Sequence, residues 1–295
     1  MQPGNKKWYS STWLDLENYL YIEINNIIRS KKGLESFDVF LEQKINAENG
    51  LDFKNLDKNL EKYSLETLLS ASLWGNKCDL SLSNGEVIPQ SDDDPNLTTT
   101  FLEKNLIINK RNTLVSWLGE AGKIAIILDN CGKEFQADIR LAHYLTDVME
   151  KSVTFFPKAI PWYVSDVLMS DIERLDVKID SFEDEFWTTQ APYHKINGKL
   201  LDKLNQYDVI IFKGDLNYRK LLADLDWPKT ITFHKALEQL DFPVKTRIAT
   251  LRTCKAEITI GLSETFQKPD PTWEISGDYG IIDVADFANY SSKII

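Results

Sequence analysis

The stretch Lys123-Ile-Ala-Ile-Ile-Leu-Asp-Asn130 decides the fold class of this chain. Its apolar run is rich in β-branched isoleucine, which favours a buried strand, and the polar pair Asp129-Asn130 follows directly. In an open α/β sheet, ligands bind in the crevice beyond the carboxyl ends of the strands. The stretch therefore predicts a strand that delivers a carboxylate and an amide to a binding cleft.

Three further segments place polar side chains after apolar ones. They are Pro161-Trp-Tyr-Val-Ser-Asp166, Asp208-Val-Ile-Ile-Phe-Lys-Gly-Asp-Leu-Asn-Tyr-Arg219 and Arg252-Thr-Cys-Lys255. Apolar runs that alternate with helical segments indicate βαβ units and a largely parallel sheet covered on both faces. We expect strands at about 124–128, 153–156 and 207–212, later strands at 247–250 and 257–260, a further apolar stretch at 160–164, and helices at about 102–118, 137–151 and 167–175.

The amino-terminal part is predicted to be mostly helical. Apolar residues recur at steps of three and four over 11–28, 34–45 and 65–73. Residues 81–100 follow, with prolines, Asn84-Gly85 and three consecutive aspartates, all typical of a loop with a solvated charge run. We therefore expect a helical region and connecting loop over 1–100, followed by an α/β domain over 101–295.

The charge and cysteine content exclude several classes of function. The chain has 295 residues, of which 45 are acidic and 34 basic, so its formal net charge is −11. Such a surface would repel DNA or RNA. The three cysteines show no paired spacing, and no stretch approaches the ~20 apolar residues of a membrane span. We predict a cytoplasmic protein without nucleic-acid or membrane partners, and the oligomeric state stays open.

Asp129, Asn130 and Asp166 are the candidate metal ligands. They offer carboxylate and amide oxygens, the hard ligands that Mg²⁺ and Mn²⁺ prefer. The alternative is that each residue caps the helix that follows it. Both interpretations are open at this stage.

A second group of residues is suited to binding phosphate. Asp215 and Asn217 follow an apolar run and Gly214, a residue that permits a tight turn. Arg219 and Lys255 supply cations, whose alternative role is an ordinary surface ion pair. Cys131 lies beside the candidate ligands, and we interpret it as a buried packing thiol rather than a nucleophile.

Several motifs resemble the damage-control phosphatases, in particular the sugar-phosphate branch marked by an Arg-Thr-x-Lys motif. They are Ser11-Thr-Trp-Leu14, Glu17-Asn-Tyr19, Leu73-Trp-Gly-Asn-Lys-Cys-Asp-Leu-Ser81, Asp129-Asn130, Trp187-Thr-Thr189, Gly214-Asp-Leu-Asn-Tyr-Arg-Lys220, Trp227-Pro-Lys229 and Arg252-Thr-Cys-Lys255. The resemblance implies a three-layer α/β/α Rossmann-like domain with a helical amino-terminal part. It also implies that Asp129, Asn130 and Asp166 hold a metal. The implied substrate contacts are Asp129, Asn130, Glu134, Asp166, Asp215, Leu216, Asn217, Tyr218, Arg219 and Lys255.

The function that the resemblance implies is metal-dependent hydrolysis of small phosphorylated metabolites such as fructose 1-phosphate and fructose 6-phosphate. The metal would be Mn²⁺ or Mg²⁺, with Ni²⁺ or Co²⁺ as further options. Asp215 would act as a general base or as a nucleophile, and Lys255 would stabilise the transferred phosphoryl group.

Two other functions stay open as alternatives. Members of this branch have also been described as S-adenosylmethionine-dependent methyltransferases acting on protein glutamate. Such an enzyme usually has a glycine-rich turn after its first strand, whereas Asp-Asn-Cys-Gly-Lys-Glu134 contains one glycine. The other alternative is a shortened, inactive binding protein, because similar proteins carry a longer helical region ahead of the matched part.

Overall fold

One mixed sheet forms the centre of the molecule. The computed structural model describes residues 11–75 and 103–288, and within these ranges seven strands pair in the order β1-β7-β6-β5-β2-β3-β4. Their bounds are β1 Leu106–Asn109, β2 Lys123–Ile127, β3 Ser152–Phe156, β4 Asp180–Ser181, β5 Val209–Lys213, β6 Arg247–Thr253 and β7 Gly280–Asp286. Neighbouring strands are parallel except β6 and β7, which pair antiparallel from Arg247 opposite Asp286 to Thr253 opposite Gly280.

Helices cover the sheet and precede it. Their bounds are α1 Trp13–Arg29, α2 Leu41–Glu48, α3 Leu65–Trp74, α4 Arg111–Glu120, α5 Lys133–His143, α6 Met169–Arg174, α7 Gly198–Leu204, α8 Gly214–Leu221 and α9 Phe233–Gln239. Side-chain caps begin α1 and α3, where Thr12 and Ser64 accept hydrogen bonds from the backbone N–H groups of Asp15 and Thr67. No helix in the described ranges is both long and apolar enough to cross a membrane.

Two apolar cores lie on opposite faces of the sheet, and β2 contributes to both. Ile124 and Ile126 point into a core shared with α3, α4 and α5, whereas Ala125 and Ile127 point into a core shared with α7, α8 and α9. This alternation follows from the period of two along a strand. The three-layer α/β/α prediction is confirmed.

Most of the predicted elements are present, and three predictions are wrong. The helix expected at 102–118 starts only at Arg111, because residues 106–109 form the edge strand β1. The helix expected from residue 34 starts at Leu41. Residues 257–260 are not a strand, and β7 was not expected.

The predicted boundary between two parts of the chain lies in residues 81–100, outside the described residues. The three aspartates of that stretch and Cys78 lie outside them as well. Helix α3, which belongs to the part expected to be a separate helical region, packs in the same core as the sheet. The division into 1–100 and 101–295 stays a prediction.

Candidate metal and phosphate site

A cleft of about 870 Å³ opens at the carboxyl ends of β2, β5 and β6. It brings together seven of the residues singled out from the sequence: Asp129, Asn130, Asp166, Asp215, Leu216, Arg219 and Lys255. Helix α1 adds Trp13 and Glu17, which sequence reasoning missed. Residues more than 100 positions apart therefore share one cavity, as expected for the carboxyl edge of a parallel sheet.

The Asp129 carboxylate lies close to the backbone of Gly214. A Cβ atom at Gly214 would lie 1.8 Å from Asp129 Oδ2, so no other residue fits there without moving that carboxylate. The backbone of Gly214 has φ +79°, a region that favours glycine. The close approach is thus between the start of α8 and the Asp129 side chain.

Asn130 links two carboxylates in the cleft. Its Nδ2 donates to Asp129 Oδ2 at 2.7 Å and to Glu134 Oε2 at 3.0 Å. Its Oδ1 accepts from Ser165 Oγ at 2.6 Å. Glu134 therefore lies directly behind Asn130, although it does not line the cleft.

Asp166 reaches the cleft from an irregular loop, not from the end of a strand. Tyr163 and Val164 have φ 41° and 64°, so two successive residues turn left-handed just before it. An isolated antiparallel bridge then pairs Asp166 with Asn130. Helix α1 supports this loop, because Asn25 Nδ2 donates to Pro161 O at 2.8 Å.

One oxygen of Asp166 lacks a hydrogen bond. Asp166 is 1 % exposed, yet its Oδ2 has no hydrogen-bond partner in the described part of the chain and lies 3.4 Å from Lys158 Nζ. The Lys158 ammonium offsets the charge of this oxygen, but the oxygen still lacks a hydrogen bond, which is costly in a buried position and leaves it able to bind a further cation. The donor set therefore fits a divalent metal ion with hard-ligand preference.

Burial is the largest influence on the pKa values of Asp129 and Asp166. It raises the pKa of Asp129 well above its usual range, helped by the negative charges of Glu134 and Asp166 and opposed by Lys158 and Lys255. It also raises the pKa of Asp166 to about 6, with Lys158 opposing. A bound cation would favour the ionised forms of both groups.

The capping alternative is wrong for all three candidate ligands. The N-cap of α5 is Gly132, and that of α6 is Leu168. Asp129, Asn130 and Asp166 all precede these positions, and none of the side-chain contacts found for them in the described ranges is with a backbone N–H of either helix.

Asp215 is oriented by the Arg-Thr-x-Lys segment. Its Oδ1 accepts from Arg252 Nε at 2.7 Å and from the backbone N–H of Lys255 at 3.2 Å. Arg252 is fully buried and also donates to Thr259 Oγ1 and Ala256 O. The arginine thus joins Asp215 to the loop that carries Lys255.

Arg219 lines the cleft and also forms an ion pair. Its Nε and Nη2 donate to Asp224 Oδ1 at 2.8 Å and Oδ2 at 3.0 Å, and its Nη1 lies 3.6 Å from Glu17 Oε2. Arg219 therefore both forms an ion pair, as the alternative interpretation expected, and lines the cleft, as expected of a phosphate contact. Lys255, by contrast, is an exposed residue on the cleft wall.

Asn217 and Tyr218 are placed differently from the other candidates. Both are fully buried, and neither lines the cleft. Asn217 Nδ2 donates to Leu128 O at 3.1 Å and Lys213 O at 2.6 Å, which joins α8 to the end of β2. Tyr218 stacks on Phe233, and its hydroxyl accepts from the backbone N–H of Ile260. Asn217 and Tyr218 therefore hold the elements around the site in place and do not themselves line the cleft.

The geometry and the motifs agree with a comparison against known families. The family model described as "Damage-control phosphatase ARMT1-like domain" matches residues 5–268. This chain belongs to that family. It is 32 % identical over 337 residues to damage-control phosphatase ARMT1 of Macaca fascicularis, covering 94 % of this chain and 75 % of that protein. The human protein of the same name is 31 % identical over 335 residues, with the same coverage.

A solved structure supports the fold of this family member. The crystal structure of a DUF89 family protein from Pyrococcus horikoshii matches with a TM-score of 0.52 and 18 % sequence identity. The match covers 81 % of this chain and 74 % of the archaeal chain. At that identity the likeness concerns the α/β architecture alone.

Sequence reasoning missed the buried lysines behind the cleft. Lys213 Nζ donates to Glu134 Oε1 at 3.0 Å and Ser72 O at 2.8 Å, and it pairs with Asp138 at 2.9 Å. Lys158 contacts Asp166, and Lys220 donates to the carbonyls of Trp187 and Thr189. Lys213 was detectable in principle, because a lysine that ends a buried apolar strand needs a buried partner.

A second group of potential ligands lies outside the cleft. In the described ranges, Glu48, Cys131 and Asp171 place ligand atoms within 4.8 Å of one another. Two cations already neutralise this group: Asp171 binds Lys44 at 2.8 Å, and Arg174 binds both Asp171 and Glu48. Burial also raises the pKa of the Cys131 thiol well above its usual range. Cys131 is a buried free thiol, as predicted, and we place no metal ion in this group.

Proposed function

We propose that this protein is a metal-dependent phosphatase that hydrolyses phosphate esters of small metabolites, with sugar phosphates such as fructose 1-phosphate and fructose 6-phosphate as substrates. The observation that carries the proposal is the convergence of buried Asp129 and Asp166 with Asp215 and Lys255 in one cleft. The name of the relatives, damage-control phosphatase, supports the reaction class.

The proposed metal ligands are Asp129, Asn130 and Asp166. Asp166 offers the oxygen that has no hydrogen bond among the described residues. Asn130 would offer Oδ1, which accepts from Ser165 and has, within the described ranges, a second lone pair that can bind an ion. Mn²⁺ or Mg²⁺ fits such a donor set, and Ni²⁺ or Co²⁺ can use similar ligands. A bound ion would neutralise negative charge that develops on the phosphoryl oxygens.

Lys255 and Arg219 are the proposed phosphate contacts. Lys255 reaches the cleft from a loop that Arg252 contacts, and among residues 11–75 and 103–288 no ion pair is found for its ammonium, which can therefore meet an anion. Arg219 is held by Asp224 and presents its guanidinium at the cleft wall. Positioning and charge neutralisation are most of what phosphoryl transfer requires of a protein.

Asp215 is the proposed reactive carboxylate. The hydrogen bonds recorded for its side chain in the described residues all fall on Oδ1. Oδ2 can therefore accept a proton from a water molecule or attack phosphorus directly. A covalent phosphoenzyme found by intact mass after acid quench would identify the nucleophilic role.

The test of the proposal is phosphate release from chelator-treated protein. We expect release from fructose 1-phosphate after addition of Mn²⁺ and none in excess chelator, with Asp129→Asn and Asp166→Asn inactive in both conditions. Asp202→Asn, an exposed acid on α7, is the matched control and should behave as wild type. Equal release with and without Mn²⁺ would refute the metal assignment.

A further inference from the structure

Lys158 lies where three parts of the candidate site meet. The side chain follows β3 and is completely buried. Its Nζ donates to Leu128 O at 2.7 Å, the carbonyl just before Asp129. The same nitrogen lies 3.4 Å from Asp166 Oδ2 and 3.4 Å from Asn217 Oδ1. One ammonium group therefore touches the end of β2, the loop of Asp166 and helix α8.

The two neighbouring buried lysines make their hydrogen bonds with groups other than Asp166. Lys213 pairs with Glu134 and Asp138, and Lys220 donates to two backbone carbonyls. In the part of the chain that the structure describes, the ion pair recorded for Asp166 is the one with Lys158. Removing one partner of a buried ion pair is strongly destabilising, because the other charge is left uncompensated.

We propose that Lys158 is a positioning residue that acts as the internal counter-ion of the metal site and carries the charge of Asp166 when no divalent cation is bound. The inference rests on the metal site of the proposed function. The proposed role of Lys158 has opposite effects on the stability of the metal-free protein and on the affinity for metal. Lys158 stabilises the metal-free fold, and it weakens metal binding, because its positive charge opposes a second cation at the same carboxylate.

The test replaces Lys158 with methionine, which keeps the length of the side chain and removes the charge. In chelator, we expect Lys158→Met to melt well below wild type. Added Mn²⁺ should raise its Tm by more than it raises that of wild type, since the stabilisation by a bound ligand grows with the logarithm of its concentration divided by its Kd. Titration calorimetry with Mn²⁺ alone should give a Kd at least about ten-fold lower than that of wild type.

Two further variants make the result specific. Lys158→Arg retains the charge, so its Mn²⁺ affinity should stay within about three-fold of wild type even if its packing is imperfect. Lys220→Met removes an equally buried lysine without a recorded carboxylate partner. Lys220 makes no direct contact with Asp166 among the described residues, so the Mn²⁺ Kd of this control should change by less than that of Lys158→Met, and its loss of stability should be similar in chelator and in Mn²⁺.

The outcomes separate this inference from the proposed function. Wild type without any Mn²⁺-induced heat or shift in Tm would refute the metal site itself, and the role of Lys158 with it. Wild-type binding accompanied by equal or weaker Mn²⁺ affinity in Lys158→Met would overturn the role of Lys158 alone. A Lys158→Met protein that stays unfolded in saturating Mn²⁺ would also overturn it, whereas folding only in Mn²⁺ would support it.

Discussion

Replacing Gly214 with alanine tests the geometry of the site most directly. The new Cβ would lie 1.8 Å from Asp129 Oδ2, and ordinary contact is about 3.5 Å, so the carboxylate must move by roughly 1.5 Å. A displacement of about 1 Å in a catalytic group can lower the rate by about 100-fold. We therefore expect kcat/KM to fall by at least about 100-fold and Mn²⁺ affinity to fall with it.

The effect on stability should be smaller than the effect on activity. An alanine at φ +79° costs about 1–2 kcal/mol of folding free energy, and moving Asp129 adds to that. Gly198→Ala is a matched control, because Gly198 has φ +57° and nothing lies within 4 Å of its would-be Cβ. The control should lose about 1–2 kcal/mol and keep its activity.

The assays are hydrolysis of fructose 1-phosphate, Mn²⁺ calorimetry and urea unfolding on both variants. Wild-type kinetics in Gly214→Ala, with the protein folded, would refute the placement of Asp129 in the reacting centre. An equal loss of activity in Gly198→Ala would mean that general destabilisation explains the result.

Three other changes have defined outcomes. Lys255→Ala should lower kcat/KM by about 100-fold or more with little change in Tm, because an exposed cation that contacts developing charge is lost; unchanged kinetics would place Lys255 outside the substrate site. Arg219→Lys should lower kcat/KM by about ten-fold, because an ammonium cannot reproduce the two-point contact with Asp224 or with phosphate. Asp283→Asn tests pH dependence: burial raises the pKa of Asp283 to about 6, so wild type loses stability as pH rises from about 4 to 6. The asparagine variant should be more stable than wild type by at most about 3 kcal/mol in urea unfolding at pH 8 and not at pH 3, and an equal difference at both pH values would contradict the assignment.

The sequence by itself predicted the strands that carry the site. The isoleucine-rich runs before Asp129 and before Gly214 have a β-branched composition that favours buried strands, and β2 and β5 lie within two residues of their expected positions. The motif resemblance predicted the family, and the family match confirms it. Such local patterns predict strands correctly because they depend on residues that are adjacent in the sequence.

The orientation of helix α8 decides which residues of the Gly214–Lys220 motif reach the cleft. A helix turns by about 100° per residue, so adjacent residues point in different directions. Asp215, Leu216 and Arg219 reach the cleft, whereas Asn217 and Tyr218 are buried against the sheet and its loops. A linear motif cannot distinguish these two groups until the start and orientation of the helix are known.

Only the tertiary structure decided how the buried charges are paired. Asp166 follows a left-handed turn rather than a strand, and Lys213 finds its partners at Ser72 and Asp138, which are 141 and 75 residues away. No local pattern records such partners, because the protein interior makes a charge acceptable only when chain packing brings its counter-charge within reach. The sequence alone determined which residues end each strand, and the packing of distant segments decided which of them share a cleft.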